Sequence, residues 1–284
     1  EALNASIKSF YFQRASMPIE VQYGGVYGRK KGHADNNCLY HPSSGKSSGA
    51  LNSPGGWYDA GDYGKYIVNA ALSTGQMLNL LELFPNAVKD GDLNIPESGN
   101  EISDLWDELK YELDWVLTMQ DEDGGVYHKL TGKNFSGFIS PIDYDIDRYI
   151  IGKGTAATLN FAAVLAQASR LYKNIDQNWS ANASNAAEKA WEWAVINNHV
   201  QFVNPKDVKT GEYGDNNFSD DFYWAATELF ITTKKELYRS HLMENNQEYI
   251  HQLTNSWKYF VRNMGFHSLL VNKDLLDKYF ATNL

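Results

Sequence analysis

Apolar residues in this chain recur at the period of an α-helix, and few stretches alternate as a half-buried strand would. Ile102, Leu105, Leu109, Leu113 and Val116 lie three, four, four and three residues apart. That spacing lays one apolar stripe along a helix face. The segment ends near Gln120, ahead of the turn signal Asp123-Gly124-Gly125. Further helices are predicted over 5–13, 62–84 (stopped by Pro85), 155–171, 187–198, 220–232 and 249–264. The 155–171 segment is Ala-rich and apolar on nearly every face, so it should be buried on two sides. Ser219 is placed to cap the 220–232 helix, with Asp220 and Asp221 favouring its dipole. Strand signals are confined to 21–26, which alternates briefly, and to an extended piece at 125–130. Strands and helices do not alternate, so a parallel sheet is not expected. The rhythm of helix and long loop fits an array of helical hairpins. The loops at 22–61, 121–152 and 199–219 exceed what a bundle needs, and such loops carry function.

Several function classes drop out on composition. The chain has 284 residues and a formal net charge of −10, which disfavours binding to nucleic acid phosphates. No window approaches the ~18 consecutive apolar residues of a membrane span. Cys38 is the single cysteine, so no intrachain disulfide and no cysteine-based zinc cluster can form. No Gly-rich phosphate loop is present. Aromatic residues reach 14%: a core can use some and a sugar-binding cleft the rest, because pyranose faces stack on such rings, although core or surface packing is the commoner role for any one of them. Residues 92–123 hold eleven acids against one Lys. Most read as a solvated helix face, though some would favour a cationic ligand such as an amino sugar. Glu1 is not a start methionine and the last residues show no closing feature, so the chain reads as a piece of a longer one.

The chemistry concentrates in Ser53–Tyr66. Asp59 and Asp62 stand three apart at a loop-to-helix junction, among glycines that leave room for a ligand. Trp57, Tyr58, Tyr63 and Tyr66 flank them. Two such carboxylates can activate a water, one as general base and the other as its orienting partner. Equally, Asp59 could cap the turn and Asp62 the following helix.

Gly55-Gly-Trp-Tyr-Asp-Ala-Gly-Asp-Tyr-Gly-Lys-Tyr66 resembles the Asp-Ala-Gly-Asp segment of glycoside hydrolase family 9. It is most similar to the subgroup with an immunoglobulin-like module ahead of the catalytic domain. Phe10–Arg14 resembles the family's opening helix, and Lys153–Arg170 its central Ala-rich helix. Thr210–Asp215 with Asp220–Leu229 resembles a further block. The resemblance runs from about residue 8 to residue 262. It implies an all-α fold, an (α/α)6 barrel of helical hairpins. About seven helices against the twelve of a six-hairpin ring place residues 1–284 at roughly the first 60% of one catalytic domain.

The implied reaction is hydrolysis of β-1,4-glycosidic bonds in cellulose-like glucans with inversion, with no required cofactor. Asp62 matches the general base and Asp59 the carboxylate sharing its water. An inverting enzyme also needs a general acid about 6.5–9.5 Å away across the bond. The family's Asn-Glu and His-Arg motifs are missing here, so this chain alone is expected to be inactive. Apolar faces near Tyr259 and Val261 should then be bare, or covered by other chain material.

His128 matches a substrate-contacting histidine, or is an exposed loop residue. Trp57, Tyr58 and Tyr127 are further candidates for sugar contact, with core packing the alternative. Asp220 and Asp221 match a region that binds structural calcium in some members, and carboxylates suit that cation. Helix-terminal acids would explain them as well. Some members carry zinc on Cys and His near the Asp pair. Ala15 and Tyr58 stand in two of those positions, leaving only Cys38, His33 and His41 nearby, so zinc is expected to be lost.

The expected partner is a β-linked oligo- or polysaccharide bound by a monomer that is secreted or periplasmic, or cytoplasmic if it takes only oligosaccharides. Alternatives are an exo-acting β-glucosidase or β-glucosaminidase, with the 22–56 loop blocking one end of the cleft, and a degenerate carbohydrate-binding module.

Overall fold

The computed structural model describes residues 1–244 and 261–275. The chain opens with α1 (Ala2–Gln13) and two short turns of helix, α2 (Val21–Gly24) and a 3₁₀ turn at Gly25–Tyr27. These short helices replace the strand expected at 21–26. The long helices are α3 (Ile67–Leu83), α4 (Asp104–Thr118), α5 (Thr155–Tyr172), α6 (Gln177–Ile196) and α7 (Ser219–Thr233). Then follow α8 (Glu236–Glu244) and α9 (Arg262–Val271).

The predicted stripe is the buried face of α4. Leu105, Leu109, Leu113 and Val116 are buried, and the Ser103 side chain caps the helix by accepting from Leu105 N–H. Helix α5 is buried on nearly every face and packs against α3, α6 and α7. Alanines make that close packing feasible: Ala157, Ala162 and Ala166 on α5, Ala187 and Ala190 on α6, Ala225 and Ala226 on α7.

Four further expectations about these elements need correction. Helix α6 starts ten residues ahead of the predicted 187, because Asp176 caps it through Trp179 N–H at 2.9 Å. Its Asn- and Ser-rich first half hides the period, and packing overrides weak propensity there. Ser219 does not cap α7: it is the helix's first residue, and its hydroxyl turns to Asn217 at 2.9 Å. Helix α3 begins at Ile67, not Asp62, because Lys65 and Tyr66 join a sheet first.

That sheet is the fourth difference, since no strands other than those at 21–26 and 125–130 were expected. It contains β1 (Cys38–Tyr40), β2 (Ala50–Leu51), β3 (Lys65–Tyr66), β4 (Tyr127–Thr131) and β5 (Tyr149–Lys153), in the order β2-β1-β5-β4-β3. Only β1 and β5 pair in parallel. The pieces are two to five residues long, too short for a clear alternation signal. The sheet joins pieces of the long loops and ties Ser53–Tyr66 to the segment after Gly125.

Val261 is 1% exposed, and its N–H donates to Asp220 Oδ2 at 2.9 Å, so at Val261 the second of the two expected outcomes holds: the residue is covered. Tyr259 and most of the helix predicted at 249–264 lie outside the described residues.

Candidate active site

Two glycines bring the Asp-bearing loop against α4. Gly55 and Gly56 have φ of 82° and 76°, and a Cβ on Gly56 would sit 2.7 Å from the Trp115 ring. Neighbouring elements then fix the loop. Ala15 N–H donates to Gly56 O at 2.7 Å and Tyr58 N–H to Gln13 O at 2.8 Å. Trp57 gives its N–H to Glu112 and its indole N–H to Glu108, the latter at 2.8 Å. Burial pushes the Glu112 carboxyl up to about 8.

Beyond Trp57 the chain makes the turn that holds both aspartates. Asp62 Oδ1 accepts from Gly64 N–H at 3.0 Å, and its Oδ2 accepts from the Tyr66 hydroxyl. Asp62 therefore caps its own turn and no helix. Asp59 Oδ1 accepts from Asn69 Nδ2 at 2.7 Å, and Oδ2 from the Tyr213 hydroxyl at 2.6 Å. The Tyr66 and Tyr213 rings meet edge-on at 4.8 Å, so one aromatic pair links the two carboxylates. Each carboxylate oxygen holds one donor and keeps a lone pair for a second. Burial, reinforced by the adjacent aspartate, raises both phenols above their ordinary value, so both hydroxyls remain donors.

Asp59 lines a cavity of about 220 Å³ together with Phe10, Trp57, Tyr58, Tyr66 and Glu112. Asp62 is 5% exposed and is not part of that lining.

The other sequence candidates divide. Trp57 and Tyr58 reach the cavity, although each is mostly buried. Tyr127 is 1% exposed and packs beside Tyr40, which is the core role. His128 is neither a loop residue nor exposed. It lies on β4, stacks on Phe202 at 3.7 Å, and gives Nε2–H to Glu212 O at 2.8 Å. A carbonyl only accepts, so this contact assigns the proton to Nε2. Burial, with Lys129 beside it, lowers the imidazole to about 3.

Asp220 and Asp221 are both buried at the start of α7. Burial, with Asp215 nearby, lifts Asp220 to about 6, and burial plus Asp220 lifts Asp221 well above the usual carboxylate range. One oxygen of each carries no hydrogen bond among the described residues. Oxygen donors of this kind suit a hard cation. However, no set of three or more His, Cys, Asp or Glu among the described residues is arranged to hold a metal. At the positions considered for zinc, the Tyr58 hydroxyl meets His33 Nδ1 at 2.9 Å.

Three buried residues that were not among the sequence candidates complete the site. Asp35 accepts from Arg148 at 2.9 Å and pairs with Lys65 at 2.8 Å. Lys65 also donates to Ser53 O and Gly55 O, while Arg148 donates to Tyr63 O. One ion cluster thus holds both ends of the Asp-bearing loop. On the far side, Lys129 donates to Gly211 O at 2.6 Å and His128 to Glu212 O, next to Tyr213.

A sequence profile described as "Glycosyl hydrolase family 9" matches residues 1–281. The chain belongs to glycosyl hydrolase family 9. It is 47% identical over 251 residues to a xyloglucan-specific endo-beta-1,4-glucanase of Bacteroides ovatus, covering 83% of this chain and 43% of that protein. It is 35% identical over 240 residues to endoglucanase D of Acetivibrio thermocellus, covering 84% of this chain and 38% of that protein. A solved Bacteroides ovatus family 9 structure superposes with a TM-score of 0.90 at 40% identity, over 98% of this chain and 55% of that one. The chain therefore spans less than half the length of these two curated relatives. The family assignment agrees with a mostly helical fold related to the (α/α)6 barrel. No helix among the described residues is long and apolar enough to cross a membrane.

Proposed function

We propose that the enzyme containing this chain hydrolyses β-1,4-glycosidic bonds of glucans with inversion, as an endo-acting glucanase. The observation that carries this reading is the Asp59–Asp62 turn, whose two carboxylates are oriented by four donors and bridged by Tyr66 and Tyr213. Asp62 is the general base and Asp59 the carboxylate that positions the same water. Trp57 and Tyr58 contact sugar from the cavity, whereas His128 and Tyr127 support the site from behind.

Further parts of the reading rest on the family resemblance. Residues 1–284 are the first part of one catalytic barrel, in the subgroup with an immunoglobulin-like module. The enzyme is a monomer, is exported to reach a polymeric glucan, and requires no cofactor. A structural calcium at Asp220 and Asp221 rests on that resemblance too, supported by one oxygen of each that carries no hydrogen bond among the described residues.

Replacement of Asp62 by Ala in the full-length enzyme tests the assignment. General-base catalysis contributes about 10²–10⁴-fold, so kcat should fall at least about a hundredfold while glucan binding persists. One observation favours Asp59 as base instead: Asp59 lines the cavity and Asp62 does not. Under that second assignment Asp59→Ala shows the larger loss of kcat.

A further inference from the structure

Tyr66 on β3 stands directly opposite Lys129 on β4 in an antiparallel pair, so the two side chains share one face of the sheet. On that face Lys129 Nζ lies 5.5 Å from the centre of the Tyr66 ring, within reach of a cation–π attraction. The hydroxyl of the same ring donates to Asp62 Oδ2. Thr210 gives a second link: its hydroxyl meets Lys129 Nζ at 3.4 Å and also bonds the Tyr66 phenol.

Lys129 differs from the other buried cations. Arg14, Lys65, Arg148 and Arg170 each touch a carboxylate within 3.1 Å. Lys129 is 0% exposed, and among the described residues its ammonium meets neutral acceptors alone. These are Gly211 O at 2.6 Å, Asn204 Oδ1 at 2.7 Å, and the Thr210 carbonyl and hydroxyl at 3.4 Å. The three N–H bonds are satisfied, but the charge is not neutralised on contact. A dry ammonium without a contact partner is costly and needs a counter-charge at longer range. Burial lowers Lys129 to about 8, and Asp62, followed by Glu212, is the carboxylate that opposes this.

We propose that Lys129 is a positioning residue for the general base: its ammonium is the counter-charge of Asp62, applied across Tyr66. The inference rests on the assignment of Asp62 above. A cation on this side favours the ionised carboxylate, and by polarising the phenol it strengthens the donation from Tyr66 to Asp62 Oδ2. The other groups that face Asp62 do not supply this charge. Tyr66, Tyr213 and Tyr144 are phenols kept neutral, raised first of all by burial. Asp59 has the same sign as Asp62. Lys65 and Arg148, around the same turn, are engaged by Asp35, and burial keeps His128 neutral.

The test is the pH profile of kcat/KM on cellohexaose, with the full-length enzyme, Lys129→Met and Asn204→Asp. Lys129→Met removes the charge and keeps most of the apolar stem. Asn204→Asp keeps the lysine and gives it a carboxylate of its own at the 2.7 Å contact, although it loses the Asn204 donation to Thr210 O. Removing a cation, or adding an anion, lets a carboxylate take up its proton at higher pH. Either variant should therefore move the acid limb up by about one pH unit, so that kcat/KM below the limb falls about tenfold. A lysine that only holds the 204–212 loop would lower Tm and leave the limb in place. An acid limb unmoved in Asn204→Asp would overturn the proposal, whether or not Lys129→Met folds. Failure of the reading beneath it looks different: the parent cleaves no β-1,4-glucan, or Asp59→Ala costs more kcat than Asp62→Ala.

Discussion

The Tyr213 hydroxyl donates to Asp59 Oδ2 at 2.6 Å across 154 residues of sequence. Tyr213 adopts a positive φ of 45°, and the two residues before it are gripped by β4 through His128 and Lys129. Asp59 is thus oriented from two sides, by Asn69 of α3 and by a loop that the sheet puts in place.

Tyr213→Phe removes that donor and little volume. A hydrogen bond to a charged group is worth about 1.5–3 kcal/mol, so the full-length enzyme should lose about tenfold or more in kcat. KM for short substrates should change little. Steady-state rates equal to the parent's would show that Asp59 needs no such orientation.

Asp35→Asn tests the ion cluster. Burial works against the Asp35 carboxylate, yet Arg148 and Lys65 together hold its titration well below the usual range. Neutralising it strands a fully buried Lys65 and a nearly buried Arg148. Removing one partner of a buried ion pair costs about 3–5 kcal/mol. Denaturant unfolding should show a loss of that size, and activity should fall with it because both ends of the Asp59–Asp62 loop are released.

His128 gives the fold an acid-sensitive element. Its folded-state pKa is about 3, while the unfolded chain protonates near 6.5. Between those limits the unfolded state binds the extra proton, so stability is present above about 6.5 and is lost as pH falls towards 3. The loss is about 1.4 kcal/mol per pH unit over that window. His33, lowered to about 4 by burial and by Arg148, acts in the same direction. Unfolding free energies of the parent and of His128→Phe, measured at pH 7 and pH 4.5, should differ in slope, with the variant losing less. Parallel slopes would remove His128 from the acid response.

The sequence by itself determined the helical scaffold and the family, and it singled out Asp59 and Asp62 as candidates. The stripe on α4 and the Ala-rich α5 are legible because a helix writes its buried face at a fixed local period. Asp59 and Asp62 are legible because the glycines and aromatics around them are contiguous. Strands of two to five residues carry too little period to be read, and so the sheet came only from the tertiary structure. So did the start of α3, which waits until Lys65 and Tyr66 have paired with β4. The roles of Asp35, Lys65, Arg148, Lys129 and Tyr213 were equally hidden. Each acts on a partner at least 30 residues away, or through a backbone carbonyl that any residue could supply. His128 and Tyr127 show the same limit from the other side: a strand residue beside a candidate site faces either the cleft or the core. That choice is settled by which side of β4 Phe202 and Tyr40 fill, a matter of packing that no local pattern records.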